Sequence, residues 1–349
     1  MPHVTERGAV RVSIVVACRN EKAAVPAFIE SLLAQDMSGL TWEAIIADGM
    51  SDDGTREFLE ETLAGHPRVR MIANPGRIVS TGLNASIRVA RGEIVVRMDM
   101  HSIYAPDYVR QCVQTLEQTG AENAGGPARV RADGVRARAI AAAYRSRFST
   151  GGARFHDENY EGWVDTVPFG CWRKTTLERL GLFDESLVRN QDDELNLRLV
   201  RAGGGIRQNP AIRCWYSPRA TLGALFRQYM QYGFWKVAVI RKHRVPGSWR
   251  HLVPVAFVMA NAALAVAMAI AAAAGARSWF EGAAALWLAL AGAYLAAILA
   301  ASFGAARRGG WATLPYLPAA FATFHISYGL GFAAGLLRFS DVAFTRISR

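Results

Sequence analysis

Acidic side chains and one histidine stand where they could bind a nucleotide, a metal ion or a reacting hydroxyl group. Asp48 opens an Asp- and Gly-rich segment, and Asp99 and His101 stand two residues apart after an apolar run. Carboxylates accept hydrogen bonds from nucleobases and ribose hydroxyls, and a carboxylate beside an imidazole can hold a divalent cation on a diphosphate. The acids of residues 192–194 could supply a general base.

Each of these motifs also has an ordinary structural interpretation. Asp52 or Asp53 could stabilise a Gly/Asp turn before a helix. His101 could be a hydrogen-bonded loop histidine. The acids at 192–194 could simply cap a helix, because negative charge is favoured at a helix N-terminus. The position of each motif relative to the predicted strands is therefore the deciding observation.

Strands and helices alternate over the first hundred residues. Apolar, β-branched runs predict strands at 11–17, 42–47, 69–73 and 93–98. Helical spacing of apolar residues predicts helices after the first three, near 25–33, 54–63 and 81–90. This alternation predicts an α/β fold with a mostly parallel, doubly wound sheet.

Polar residues follow three of these strands directly. They are Asn20 with Glu21, then Asp48, then Asp99. Ligands of such sheets bind at the carboxyl ends of the strands. The sequence therefore predicts one site along this edge.

The chain changes character near residue 252, where long apolar runs with almost no charge begin. Leu252–Ala274 and Gly282–Phe303 are long enough to cross a bilayer. A third candidate, Pro315–Leu337, is interrupted by Pro318 and His325. We expect about three membrane helices, with a re-entrant third segment as the alternative.

Basic clusters at 241–244 with 250, and at 307–308, are expected to face the cytosol by the positive-inside rule. Three full spans would place the remaining C-terminal arginines on the other side: Arg338, Arg346 and Arg349. No apolar run of signal-peptide length precedes the first strand, so the catalytic part is expected in the cytoplasm.

The net charge of +11 suits an anionic partner. The chain has no basic run interleaved with aromatics and no zinc-finger spacing, which argues against nucleic acid. The four cysteines lie far apart without a CxxC pair, as expected for free thiols.

Arg227–Lys236 mixes aromatic and basic residues, which is typical of an interfacial helix. This segment and the change of composition near residue 252 predict a catalytic domain at 1–220, an interfacial segment at 221–250 and a transmembrane region at 251–349.

Five segments between residues 11 and 240 together resemble glycosyltransferase family 2, and most nearly its succinoglycan-type exopolysaccharide glucosyltransferases. The segments are VVACRNE, ADGMSDDGT, LNASIRVARGEIVVRMDMH, VDTVPFGCWRK and GLFDESLVRNQDDELNLRL. The resemblance implies a GT-A fold, followed here by C-terminal transmembrane helices.

The resemblance also implies roles for individual residues. The implied nucleotide-binding positions are Ala17, Asn20, Glu21, Asp48 and Asp99. Asp99 and His101 take the place of the family's D-x-D metal motif. The cation would be Mn2+ or Mg2+, and the imidazole favours manganese.

Asp192 matches the acid of the family's E-D catalytic motif, with Gln191 in place of the Glu, and Asp193 and Glu194 are further possible bases. The implied diphosphate or acceptor side comprises Arg77, Gly170, Arg173, Arg227 and Lys236. The Q-x-x-R-W signature of processive synthases is absent from the sequence, which favours addition of a single sugar.

The resemblance thus implies an inverting hexosyltransferase, and the apolar runs predict a multi-pass protein of the inner or plasma membrane. It would move a sugar from a nucleotide-sugar donor, UDP-linked by family analogy, to a hydroxyl of a polyprenyl-linked saccharide, in exopolysaccharide or cell-surface glycan synthesis. One alternative is a polyprenyl-phosphate sugar transferase, whose acceptor already carries its charge and needs no base. Another is a non-catalytic membrane scaffold that only binds nucleotide sugars.

Overall fold

The computed structural model describes residues 9–339, which form two compact units. The first unit comprises residues 9–130 and 154–217, and the second comprises residues 131–153 and 218–339. The second unit is therefore assembled from two separate stretches of chain. Arg346 and Arg349 lie outside the described residues.

Eleven strands occur in the described chain, all of them in the first unit. They are β1 (Val12–Cys18), β2 (Trp42–Asp48), β3 (Val69–Ala73), β4 (Ile94–Asp99), β5 (Ser102–Tyr104), β6 (Asn123–Gly125), β7 (Arg129–Val130), β8 (Gly162–Val164), β9 (Cys171–Arg173), β10 (Ile206–Gln208) and β11 (Cys214–Tyr216).

Twelve α-helices are present in residues 9–339, and three short 3-10 helices lie at Arg154–His156, Trp249–His251 and Trp311–Tyr316. The α-helices are α1 (Val25–Leu33), α2 (Thr55–Leu63), α3 (Val79–Val89), α4 (Tyr108–Thr119), α5 (Val135–Tyr144), α6 (Arg147–Thr150), α7 (Lys174–Leu180), α8 (Gln191–Arg201), α9 (Leu222–His243), α10 (Val253–Ala273), α11 (Arg277–Gly309) and α12 (Leu317–Arg338).

The central sheet has the strand order β3-β2-β1-β4-β9-β6-β10-β8. Its first four strands are parallel, and β9 and β8 run against the others. A second sheet has the order β5-β11-β7. The predicted α/β fold with a mostly parallel sheet is confirmed, and the first four observed strands match the predicted ones to within a residue or two.

The register of β1 with its two neighbours positions the carboxyl ends of three strands. Ala17 pairs with Asp99 of β4 on one side, and Cys18 pairs with Asp48 of β2 on the other. The interiors of these strands are buried and mostly apolar, with Ser13, Glu43 and Arg97 as their buried polar residues. Because the core fixes the strands, the polar residues that follow them share one edge of the sheet.

The second unit contains three helical segments that are long and apolar enough to cross a membrane. They span Trp249–Ala273, Arg277–Gly309 and Trp311–Arg338, and each contains an 18-residue stretch whose mean hydropathy is 2.2, 2.1 and 1.3, respectively. Pro318 lies in the first turn of α12, where a proline is compatible with the helix. The His325 ring forms hydrogen bonds through Nδ1 with the Tyr294 hydroxyl at 3.0 Å and through Nε2 with the Phe148 carbonyl oxygen at 2.9 Å. Both ring nitrogens therefore have partners.

Glycines let α9 and α12 approach closely. A Cβ atom on Gly331 would lie 1.9 Å from the Met230 carbonyl oxygen, and one on Gly233 would lie 2.1 Å from that of Tyr328. Backbone atoms cannot move aside as a flexible side chain can. Small residues are the usual means by which helices of membrane proteins pack backbone to backbone.

We expect Gly331→Ala to destabilise the second unit, because the added methyl group meets backbone. The cost should be about 3 kcal/mol, the upper end of the usual range for overpacking. Thermal unfolding of the full chain in detergent, followed by circular dichroism, measures it. Gly292→Ala on α11 is the matched control, because nothing lies within 4 Å of its added Cβ. Equal melting temperatures for the two variants would contradict the packing argument.

Candidate active site

The loops after β1 and β2 are joined by side-chain hydrogen bonds. The Asn20 side chain donates to Asp52 at 2.8 Å and accepts from the Asp52 backbone N–H at 3.1 Å. The Glu21 backbone N–H donates to the Thr55 hydroxyl at 2.9 Å. Asn20 adopts a left-handed backbone conformation with φ of 55°, which asparagine tolerates better than most residues. These bonds fix the two loops relative to one another.

The acids of the Asp48–Thr55 segment have different positions. Asp48 is buried at the end of β2 and accepts a hydrogen bond from the Ser51 hydroxyl at 2.6 Å. Asp53 is engaged with Thr55 at the start of α2, and the Thr55 side-chain hydrogen bond lowers the pKa of Asp53. The turn interpretation therefore describes Asp52 and Asp53, while Asp48 is the acid at the strand end.

Asp99, His101 and Glu21 form a cluster at the end of β4. The His101 Nδ1 atom lies 3.0 Å from Asp99 Oδ1 and 3.5 Å from Glu21 Oε1. Burial alone would lower the pKa of His101, but the two carboxylates raise it to about 10. Burial likewise disfavours the charged form of Asp99, yet His101 and Arg97 lower the pKa of Asp99 to about 2. The cluster is therefore a charged pair with Glu21 beside it.

The chemistry of these donors fits a divalent cation that takes only part of its coordination from protein. No group of three or more His, Cys, Asp or Glu side chains within residues 9–339 is arranged to hold a metal alone. Mg2+ in phosphate-transfer sites commonly takes one or two carboxylates and completes its shell with phosphate oxygens and water. Asp99 and His101 can provide such a partial set.

Asp192, at the start of α8, is linked to this cluster by the side chain of Arg97. The Arg97 guanidinium, only 5% exposed, makes an ion pair with Asp192 Oδ1 and lies 3.5 Å from Asp99 Oδ2. The Asp192 side chain is 31% exposed. Burial raises the pKa of Asp192, and the opposing effect of Arg97 does not reverse this. A carboxylate that is partly accessible and more basic than usual suits proton abstraction.

Glu194 does not join Asp192 at this cluster. It is fully buried, and both carboxylate oxygens accept hydrogen bonds from Arg198, which also donates to the Leu182 carbonyl oxygen at 2.6 Å. Residues two apart on a helix point in nearly opposite directions. Asp193, the next residue, is partly buried, and its charge contributes to raising the pKa of Asp192.

The remaining predicted residues are distributed over both units. Gly170 has φ of 107°, and its carbonyl oxygen accepts a hydrogen bond from the Arg97 backbone N–H at 3.0 Å. Gly170 therefore lies beside β4 near Asp99. Arg77 follows β3 in a left-handed conformation with φ of 61°. Arg227 and Lys236 belong to α9 of the second unit, where Lys236 is buried.

Arg173 is not brought to this end of the sheet. It pairs with Ile94 at the amino end of β4, five residues before Asp99. The physical reason is that β9 runs antiparallel to β4, so that successive residues of β9 lead away from the acidic edge.

Arg97 is the residue of this site that sequence reasoning left without a role. The available signal was a charged residue inside the buried strand Ile94–Asp99. A buried charge requires a partner, and such positions often mark function.

Comparisons with known proteins bear on the family and the fold of this chain. The model of glycosyl transferase family 2 matches residues 13–179. The succinoglycan biosynthesis protein ExoA of Rhizobium meliloti (strain 1021) is 32% identical over 245 residues, covering 70% of this chain and 74% of that protein.

Two further proteins are similar over most of their length. The first is the dolichyl N-acetyl-alpha-D-glucosaminyl phosphate 3-beta-D-2,3-diacetamido-2,3-dideoxy-beta-D-glucuronosyltransferase of Methanococcus voltae. It is 26% identical over 239 residues, covering 66% of this chain and 74% of that protein. The second is the mannosyltransferase PcManGT of Pyrobaculum calidifontis, solved with GDP-Man and Mn2+. It has the same fold, with a TM-score of 0.59 and 23% identity, covering 90% of this chain and 87% of that one. The chain therefore belongs to glycosyltransferase family 2.

Proposed function

We propose that the protein is a metal-dependent, inverting hexosyltransferase that moves a sugar from a nucleotide-sugar, UDP-linked in our proposal, to a hydroxyl of a lipid-linked saccharide. The observation that carries the proposal is the placement of Asp192 beside the Asp99–His101 pair through one guanidinium. The Arg97 side chain then links the proposed base for the acceptor to the proposed binding site for the departing diphosphate. The name of the Rhizobium relative, a succinoglycan biosynthesis protein, supports a role in exopolysaccharide or cell-surface glycan synthesis.

Asp192 is the proposed general base. The acceptor hydroxyl would lose its proton to this carboxylate as its oxygen attacks the anomeric carbon from the face opposite the nucleotide. One displacement of this kind inverts the configuration. The pKa of Asp192 is raised by burial, which brings it closer to the working pH, where general bases are most effective. Glu194 is buried against Arg198 and is the weaker candidate.

Asp99 and His101 would hold the divalent cation, which supplies charge neutralisation for the diphosphate leaving group. The imidazole favours Mn2+, the ion in the similar mannosyltransferase structure. Asp48, together with Ala17, Asn20 and Glu21, is our proposal for the nucleoside side of the donor. Arg77 and Gly170 are proposed for the diphosphate or acceptor side, and for Arg227 and Lys236 the same role stays a prediction.

A lipid-linked acceptor explains why a sugar transferase carries apolar helices. Such a substrate cannot leave the bilayer, so the enzyme must work at its surface. We propose a multi-pass protein of the inner or plasma membrane with its catalytic unit in the cytoplasm, an orientation that the basic residues beside the apolar helices support. The name of the Methanococcus relative describes a dolichyl-linked sugar phosphate, which is a lipid-linked sugar.

Asp192→Asn should lower transfer by about 100- to 10,000-fold, the usual contribution of a general base. Purified protein would be assayed for nucleotide release across UDP- and GDP-sugars, with membrane-lipid extract as acceptor. Asp193→Asn is the comparison that tests which neighbouring acid is the base, and it should lower transfer far less. Turnover that survives Asp192→Asn would favour a polyprenyl-phosphate acceptor, which needs no base. Absence of turnover with every donor would leave a non-catalytic scaffold as the better interpretation.

Transfer should also depend on a divalent cation. Chelator should abolish it, and Mn2+ should restore it better than Mg2+ does, because His101 supplies a nitrogen ligand. His101→Asp should retain transfer and shift the preference towards Mg2+, whereas Asp99→Asn should lower transfer with either ion. Metal titrations of the wild type and both variants measure this. Full activity in chelator would rule out the metal dependence.

The rate of transfer should fall at acidic pH as Asp192 takes up a proton. Because the folded-state pKa of Asp192 is raised, this fall should begin above the ordinary aspartate value of about 3.9. A pH profile of kcat for the wild type measures the position of this acidic limb. The residual activity of Asp192→Asn should lack the limb, and an identical limb in both proteins would assign it to another group.

A further inference from the structure

One buried guanidinium touches both acids on which the proposed function depends. Arg97 directs one nitrogen to Asp192 Oδ1 and its other terminal nitrogen to Asp99 Oδ2, at 3.5 Å in the second case. We infer that Arg97 is a positioning residue: it orients the Asp192 base towards the acceptor and holds it at a fixed distance from Asp99. This inference rests on the proposed function and adds to it a residue without contact to the reacting atoms.

Arg97 is itself held firmly. It lies on β4 between β1 and β9 in the central sheet, where it pairs with Val15, and its backbone N–H donates to the Gly170 carbonyl oxygen at 3.0 Å. The Phe169 ring lies 5.7 Å from the guanidinium carbon. A side chain that is 5% exposed and enclosed in this way has few alternative rotamers.

Arg97 faces one oxygen of each carboxylate. On Asp99, Oδ2 faces Arg97, and Oδ1 faces His101 at 3.0 Å. On Asp192, Oδ1 contacts Arg97, which leaves Oδ2 for the acceptor proton. One cation therefore selects which oxygen of each acid it holds, and it offsets the repulsion between the carboxylates of Asp99 and Asp192.

Only the shape of a guanidinium suits this arrangement. Its planar group carries separate nitrogens that can address two acids at once, whereas a lysine ammonium is a single point charge on a shorter reach. Arg97→Lys therefore preserves the charge and removes the fixed geometry. This variant separates positioning from simple charge compensation.

The test is a double-mutant cycle of Arg97→Lys with Asp192→Asn, using the best donor from the UDP- and GDP-sugar panel under single-turnover conditions. Misplacement of the base should lower the transfer rate of Arg97→Lys by about 100-fold. In the Asp192→Asn background the same change should cost less than about threefold, because no base remains to be oriented. UDP affinity in the presence of Mn2+ should change by less than about fivefold, since the His101–Asp99 contact remains.

Arg198→Lys is the matched structural control, because Arg198 is a largely buried arginine paired with Glu194 on the same helix as Asp192. It should lower the melting temperature and leave the transfer rate within about twofold. If the double mutant's transfer rate falls by the product of the two single-mutant factors, the two residues act independently. That result would show a merely structural role for Arg97 and overturn the inference. A wild-type rate in Arg97→Lys, with Asp192→Asn inactive, would overturn the inference alone. An active Asp192→Asn, or no turnover by the wild type, would instead overturn the proposed function, and the inference with it.

Discussion

The parallel pairing of β1 with β2 and β4 is the constraint on which the site depends. Its register places Ala17 beside Asp99, and Cys18 beside Asp48. The buried apolar residues of the three strands leave no freedom to slip, because a shift of one residue would turn every core side chain to the opposite face. The loops after these strands can therefore carry polar groups without losing their alignment.

Such an edge concentrates negative charge, and the fold compensates for it with two cations. Arg97 lies between Asp99 and Asp192, and the charged form of His101 is stabilised by Asp99 and Glu21. The two cations differ in permanence, since a guanidinium is always charged, whereas an imidazole can give up its proton to become a metal ligand. The permanent cation is on the buried strand, and the exchangeable one is in the loop at the rim. This division suits the proposed function, in which a donor and its cation would bind and leave while the base stays in place.

The sequence predicted what is local and missed what depends on distant pairing. β1 to β4 were predicted because each is a short, mostly apolar run that ends at a polar residue or a turn. Arg173 was expected near the diphosphate or acceptor, but the direction of β9 cannot be read from three residues. The ion pair of Arg97 and Asp192 joins residues 95 positions apart, so no periodicity reveals it. Likewise, nothing in residues 131–153 indicates that they pack with the C-terminal helices.

The acids of α8 show how helix geometry assigns different roles to neighbouring residues of the same chemical class. Successive residues are rotated by about 100°, so a run of acids cannot face one ligand together. Asp192 is directed to Arg97, whereas Glu194 turns into the core, where Arg198 neutralises it and ties it to the loop after α7. The buried acid stabilises the start of the helix that presents the accessible one. A single acidic segment thus supplies both the proposed base and its support, and a motif match alone could not separate the two.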